Sequence, residues 1–132
     1  MNTDPIADFF TSIRNAAMVN HATVRVPHSK TKAAFCRILE EAGFIKNYSV
    51  IINTPVKKQL KLTLKYRDDL TPAMTSLRRI SKCSKRIYVK YADIPKPRSG
   101  FGIVLLSTNH GILTGKQARL ARVGGELIGE IY

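Results

Sequence analysis

The sequence predicts an α+β protein of two small α/β halves packed together, an N-terminal helix–strand–helix–strand–strand and a C-terminal, mostly β half with one short helix. Three observations predict it. Apolar residues recur at helical spacing near the start, at Ile6, Phe9, Phe10, Ile13 and Ala17. They alternate at Leu60, Leu62, Leu64 and Tyr66, as in a half-buried strand. The continuous run Ile103 to Leu106, bounded by Gly102 and Gly111, has the length of a buried strand.

Each element has its own signals. Asp4-Pro5 supplies an N-cap followed by proline at the first helical position, which opens the first helix. The other face of that helix bears Thr11, Ser12, Arg14 and Asn15. Thr23 to Pro27 alternates Val24 and Val26 against Arg25 and predicts a short strand. Ser29 then stands as the N-cap of a second helix with Phe35, Ile38, Leu39 and Ala42 inward, and Gly43 occupies the place of a left-handed C-cap residue. Phe44 to Ile52 is rich in aromatic and β-branched residues, and with the Leu60–Tyr66 alternation it forms a hairpin across a turn containing Asn53 and Pro55.

The segment Arg67 to Pro72, with two acids, a threonine and a proline, is the predicted boundary, dividing the chain into residues 1–68 and 69–132. Beyond it, Met74, Leu77 and Ile80 are spaced three apart, which fits a helical turn or a strand. Ile87, Val89 and Tyr91 alternate with Tyr88 and Lys90 and predict a strand. Two basic loops flank this part, Ser81-Lys82-Cys83-Ser84-Lys85-Arg86 and the proline-stiffened Ile94 to Gly100. Thr114 and Gln117 have capping-box spacing for a short helix from Gly115 to about Arg122. Gly124-Gly125 then predicts a backbone turn that side-chain-bearing residues tolerate poorly, leading into a final strand, Glu126 to Tyr132.

Charge narrows the function. The 132 residues hold 22 Lys plus Arg against 9 Asp plus Glu, a net charge of +13, and the sequence pI is about 10.2. Between Leu70 and Gly125 stand eleven basic residues (Arg78, Arg79, Lys82, Lys85, Arg86, Lys90, Lys96, Arg98, Lys116, Arg119 and Arg122) and one acid, Asp93. So large an imbalance repels itself unless a polyanion neutralises it, which points to nucleic acid. The strand from Ile103 delivers Ser107, Thr108 and Asn109 to its end, uncharged groups suited to reading a base or sugar edge while cations hold phosphates. Lys30 and Lys32 fall in the first turn of the second helix, where the helix dipole disfavours cations unless an anion faces them. Glu126 is conspicuous in these surroundings, either orienting a neighbouring arginine, the favoured role, or accepting from a base amino group.

Other classes are disfavoured. No apolar run approaches the roughly 18 residues of a membrane span, and the N-terminus lacks a secretory signal pattern, so no membrane is expected. Cys36 and Cys83 are distant single cysteines, and His21, His28 and His110 lack ligand spacing, so neither metal nor cofactor is expected. Ser107, His110 and Glu126 include the residue types of a hydrolytic triad, but no Gly-x-Ser-x-Gly elbow surrounds Ser107, and no enzyme is predicted.

The string Gly-x-x-x-Leu-Leu-Ser-Thr-x-x-Gly-x-x-Thr-x-x-x-Ala-Arg-x-x-x-x-Gly-Gly-Glu, together with Asp4-Pro5-Ile6-Ala7-Asp8 and Ile13-Arg14-Asn15-Ala16, closely resembles small-subunit ribosomal protein eight of the bacterial and organellar type. The resemblance implies a structural constituent of the small ribosomal subunit that binds the central domain of the small-subunit ribosomal RNA early in assembly. It further implies a place in the ribosome of a bacterial cytoplasm or an organelle matrix, beside neighbouring small-subunit ribosomal proteins. The alternative is a freestanding RNA-binding or regulatory protein. The resemblance also implies site residues: Ser107 and Thr108 as the loop that reads an irregular minor groove, Glu126 as its support, Tyr88 after the basic turn of Lys82, Lys85 and Arg86, and Thr3, Asp4, Arg14, Asn15, Lys30 and Lys32 touching a second RNA segment. The chain departs from the usual pattern at Asn109 (usually Ser), Cys83-Ser84 (Pro-Gly), Gly115 (an acid) and Tyr132 (often Trp).

Overall fold

A computed structural model describes residues 5–82, 84–97 and 102–132. The features expected at Asp4, at Cys83 and at the Arg98–Gly100 end of the proline-rich loop lie outside the described residues. The chain forms two compact units, one of Pro5–Met74 and one containing Thr75–Tyr132.

In the first unit, helix α1 (Pro5–Met18) buries Phe9, Phe10, Ile13, Ala16 and Ala17, the stripe its spacing dictates. Strand β1 (Thr23–Pro27) follows, then helix α2 (Lys30–Glu41). Ser29 caps α2, its hydroxyl accepting from the Lys32 amide at 3.1 Å, and Gly43 takes φ +83° just past the helix end, where a residue with a Cβ is strained. Strands β2 (Ile45–Thr54) and β3 (Lys57–Leu64) make the hairpin. Its turn is Pro55-Val56, with Asn53 still in the strand. The sheet order is β1-β3-β2, all antiparallel, so β1 and β2 are edges. Val26, Leu60, Leu62 and Leu64 are buried, and Phe9, Phe10 and Phe35 form a ring cluster with centroids 5.9 to 6.1 Å apart. Arg67–Pro72 is a tight turn closed by the Tyr66–Pro72 bridge and by Arg67 donating to the Thr71 carbonyl at 2.8 Å.

The second unit is built on β4 (Leu77–Arg79), β5 (Tyr88–Val89), β6 (Ile103–Thr108), β7 (Gly111–Thr114) and β8 (Gly125–Ile131), with the short helix α3 (Gly115–Ala121). Strand β8 is central: β4, β5 and β6 all pair with it, and β7 pairs with β6. Ile94, Val104, Leu106, Ala118 and Leu127 form the core under α3. The capping box forms, with Thr114 Oγ1 accepting from the Gln117 amide at 3.2 Å and Gln117 Oε1 from the Thr114 amide at 3.0 Å.

Two details complete the sequence expectations and two differ from them. The ambiguous stretch around Leu77 is a strand, because it finds β8 as a partner. The alternating segment Ile87–Tyr91 pairs only at Tyr88–Val89; the chain then turns into a 3₁₀ turn at Tyr91–Asp93, where the Asp93 amide donates to the Lys90 carbonyl. Gly111–Thr114 is a strand, completing a hairpin with β6. Finally, Gly124 and Gly125 do not take positive φ; the left-handed residue after α3 is Arg122, at φ +56°. Both glycines are required by close approach instead. A Cβ at Gly125 would lie 2.2 Å from the Ser107 carbonyl oxygen, and one at Gly124 would lie 2.3 Å from that of Val89.

Candidate nucleic-acid interface

Strand pairing assembles the site. Ser107 on β6 sits opposite Glu126 on β8, and Glu126 sits opposite Tyr88 on β5. Opposed residues of an antiparallel ladder share a face, so Tyr88, Glu126 and Ser107 form one row across three strands. Tyr88 is 70% exposed, and no described group of the protein hydrogen-bonds its hydroxyl or that of Ser107. A flat aromatic ring and a free hydroxyl on one row can stack on and hydrogen-bond a nucleotide.

Thr108 plays a different part. By alternation its side chain leaves the opposite face, and its hydroxyl donates to the Gly111 carbonyl at 2.8 Å while accepting from the His110 amide at 3.0 Å. It therefore closes the two-residue turn Asn109-His110 and has one lone pair left. Asn109 is exposed at the tip of that turn.

Glu126 is held from the other side. Its Oε2 accepts from Ser81 Oγ at 2.5 Å and from Arg86 Nη1 at 2.8 Å, and Ser81 Oγ also accepts from the Ile87 amide at 3.1 Å. Burial by itself raises the Glu126 carboxyl pKa, but the hydrogen bonds from Ser81 and Arg86 and the charges of Arg86 and Arg79 outweigh it and hold the group below its ordinary value. Of the two roles weighed for Glu126, the geometry is that of a clamp: it fixes Arg86 and pins the Lys82–Arg86 turn to β8. Lys82 and Lys85 pair through their backbones at 2.9 and 3.0 Å and project exposed side chains.

A pH dependence follows from this carboxylate. A folded-state pKa below the unfolded value stabilises the fold fully above the unfolded value, about 4.3, and the contribution is lost as pH falls through the folded one. The stability advantage of the parent over Glu126→Gln is therefore expected to be full at neutral pH and to vanish on the acid side. Urea unfolding of both proteins across that range checks it; a difference independent of pH would overturn it.

Four of the remaining predicted residues lie in the N-terminal unit. Arg14 and Asn15 are exposed on α1, with Arg14 Nη2 donating to Thr11 Oγ1 at 3.0 Å, and Lys30 is exposed at the start of α2. Lys32 is only 8% exposed, and its ammonium reaches the Pro27 carbonyl at 3.5 Å. Thr3 and Asp4 lie outside the described residues. Sequence reasoning missed Ser81, fully buried under Glu126. A serine opening a lysine-rich turn looks like any turn residue until the register of β8 is known.

Among the described residues no cluster of His, Cys, Asp and Glu could hold a metal, and no helix is long and apolar enough to cross a membrane. Cys36 is buried, which pushes its thiol pKa up to about 12 and leaves it protonated.

Comparison with known proteins agrees over nearly the whole chain. A family model described as ribosomal protein S8 matches residues 4–132. The small ribosomal subunit protein uS8 of Chloroflexus aggregans is 50% identical over 125 residues, 95% of this chain and 94% of that protein. Its counterpart in Oenococcus oeni is 47% identical over 131 residues, 98% of each chain. That of Rubrobacter xylanophilus is 45% identical over 129 residues, 98% of this chain and 97% of that protein. With such identity along its length, the chain belongs to the ribosomal protein S8 family, whose members are structural RNA-binding proteins and not enzymes.

Proposed function

We infer that this structural protein of the small ribosomal subunit binds the central domain of the small-subunit ribosomal RNA directly and stabilises its fold during assembly. The observation that carries the reading is the row of Tyr88, Glu126 and Ser107 beside the basic turn of Lys82, Lys85 and Arg86. The Ser107 hydroxyl reads a base or 2′-hydroxyl edge, Tyr88 supplies a stacking face, and Thr108 holds the turn that presents Asn109. Lys82 and Lys85 meet phosphates. An A-form minor groove is wide and shallow, and sequence-specific proteins choose irregular sites where bases are displaced, which suits an exposed row of side chains across a sheet. Arg14, Asn15 and Lys30 of the N-terminal unit, together with Thr3 and Asp4, approach a second RNA segment; Lys32 supports that region through Pro27. The small subunit supplies the other partners, its neighbouring proteins.

The test is a salt titration of affinity for a hairpin carrying the irregular central-domain helix against a fully paired hairpin of equal length. A large preference for the first is expected. Ser107→Ala should cost about 1–3 kcal/mol with an unchanged salt slope, and Lys85→Ala should lower the slope by about 1 and weaken both hairpins alike. Thr108→Ser should keep the affinity, since it keeps the turn bonds. Equal binding of the two hairpins by the parent protein would overturn the reading.

A further inference from the structure

The first unit presents a second polar surface on its three-stranded sheet. Arg25 of β1 sits opposite Lys61 of β3, and Lys61 sits opposite Ser49 of β2. The neighbouring register pairs, Val26 with Leu60 and Val24 with Leu62, place the buried residues Val26, Leu60 and Leu62 on the other face. The open face thus carries Arg25, Lys57, Gln59, Lys61, Asn47 and Ser49, and none of the six is buried. The three strands hold five cations, Arg25, Lys46, Lys57, Lys58 and Lys61, and no acid. Neither Arg25 nor Lys61 has an acidic partner among the described residues. Directly opposed like charges, with Cβ atoms roughly 5 Å apart, destabilise a ladder, and an anion laid across the pair removes that repulsion.

At the hairpin end of the sheet a cleft of about 470 Å³ opens, lined by Pro27, His28, Asn53, Val56, Lys57 and Gln59 among others. Its size is in the ~300–1,000 Å³ range of small-ligand sites. Pro27 and the 89%-exposed Val56 give it apolar walls. Asn53 Nδ2 donates to Gln59 Oε1 at 3.2 Å, which leaves the Asn53 oxygen and the Gln59 nitrogen for a base edge.

We propose that this face binds a single-stranded stretch of RNA, with phosphates over Arg25, Lys61 and Lys57 and one unstacked nucleotide in the cleft. A cationic track with a slot for a splayed base is the pattern of single-strand recognition, and a paired strand could not fill the slot. An acidic protein fits less well, because protein interfaces centre on a desolvated aromatic or apolar anchor and this face is polar apart from Ile51 and the Pro27 and Val56 walls of the cleft. The surface is additional to the Ser107 row and does not rest on that reading.

The test uses the full chain and a labelled single-stranded RNA of about 12 nucleotides containing 4-thiouridine. Arg25→Gln/Lys61→Gln is compared with Lys90→Gln/Lys116→Gln, which has the same net charge. Losing two phosphate contacts should lower the salt slope by about 1.4 and weaken binding on the order of tenfold near 0.1 M salt. The control double variant should bind like the parent, and cross-links should map to the segment Asn53 to Gln59. The sheet variant should melt at the parent temperature or above, since its change relieves repulsion. Equal losses in the two double variants, cross-links elsewhere, or displacement of the RNA by polyglutamate at equal charge would overturn the proposal. These readouts do not involve the structured hairpin, so failure of the Ser107 reading leaves them unchanged.

Discussion

Gly125→Ala is expected to lose about 3 kcal/mol of stability and to bind the irregular RNA hairpin at least about tenfold more weakly than the parent. The added methyl would meet the Ser107 carbonyl oxygen at 2.2 Å, the Ser107 carbonyl carbon at 3.0 Å and Thr108 Cγ2 at 3.1 Å. Two of these atoms are backbone, so no rotamer change relieves the clash and β8 must draw away from β6. That movement separates Glu126 from Ser107, the pair on which the row depends. Gly111→Ala is the control. Its φ is +95° but nothing lies within 4 Å of the new methyl, so it pays only the strain of left-handed backbone, about 1–2 kcal/mol. Urea unfolding and hairpin affinity of both variants check the comparison. A Gly125→Ala protein as stable as the parent would mean that the strands do not approach so closely.

The second large effect belongs to the N-terminal unit. Phe35→Ala should destabilise the protein by about 3–5 kcal/mol. Phe35 is fully buried, stacked on Phe9 at 6.1 Å and tilted against Phe10 at 5.9 Å, so its loss leaves a cavity walled by two rings that α1 holds in place. Against a typical total of 5–15 kcal/mol this is a substantial fraction. Chemical denaturation at neutral pH measures it; a loss under about 1.5 kcal/mol, the range of volume-conserving core swaps, would mean that the cluster repacks.

How much of this was legible in the chain depended on whether a signal was local. Ser29 before a helical stripe, the Thr114–Gln117 box and the run from Ile103 each act within a few residues, and each element stands where those residues put it. Strands β4 and β7 exist because β8 and β6 offer them ladders, and three or four residues carry too little periodicity to announce that. The reverse holds for Ile87–Tyr91, whose alternation outruns its partner. Two consecutive glycines signal a special backbone site locally, yet the reason for them is steric and lies on other strands. In the candidate site, Ser107, Tyr88 and Glu126 were singled out, but their alignment is a product of register. That the Thr108 hydroxyl is held by its own turn, and that buried Ser81 is the second donor to Glu126, follows from contacts that no local pattern encodes.

The outer strand β2 has a consequence for the chain before assembly. Its stretch Tyr48 to Thr54 is seven residues without a charge, with Val50 and Ile52 exposed along an unpaired edge. Such a segment invites edge-to-edge pairing between copies, the first step toward aggregation. Lys46 precedes it and Lys57 and Lys58 follow the hairpin turn, in the flanking positions where gatekeeper charges interrupt such pairing. These three lysines thus keep one newly made copy away from the next.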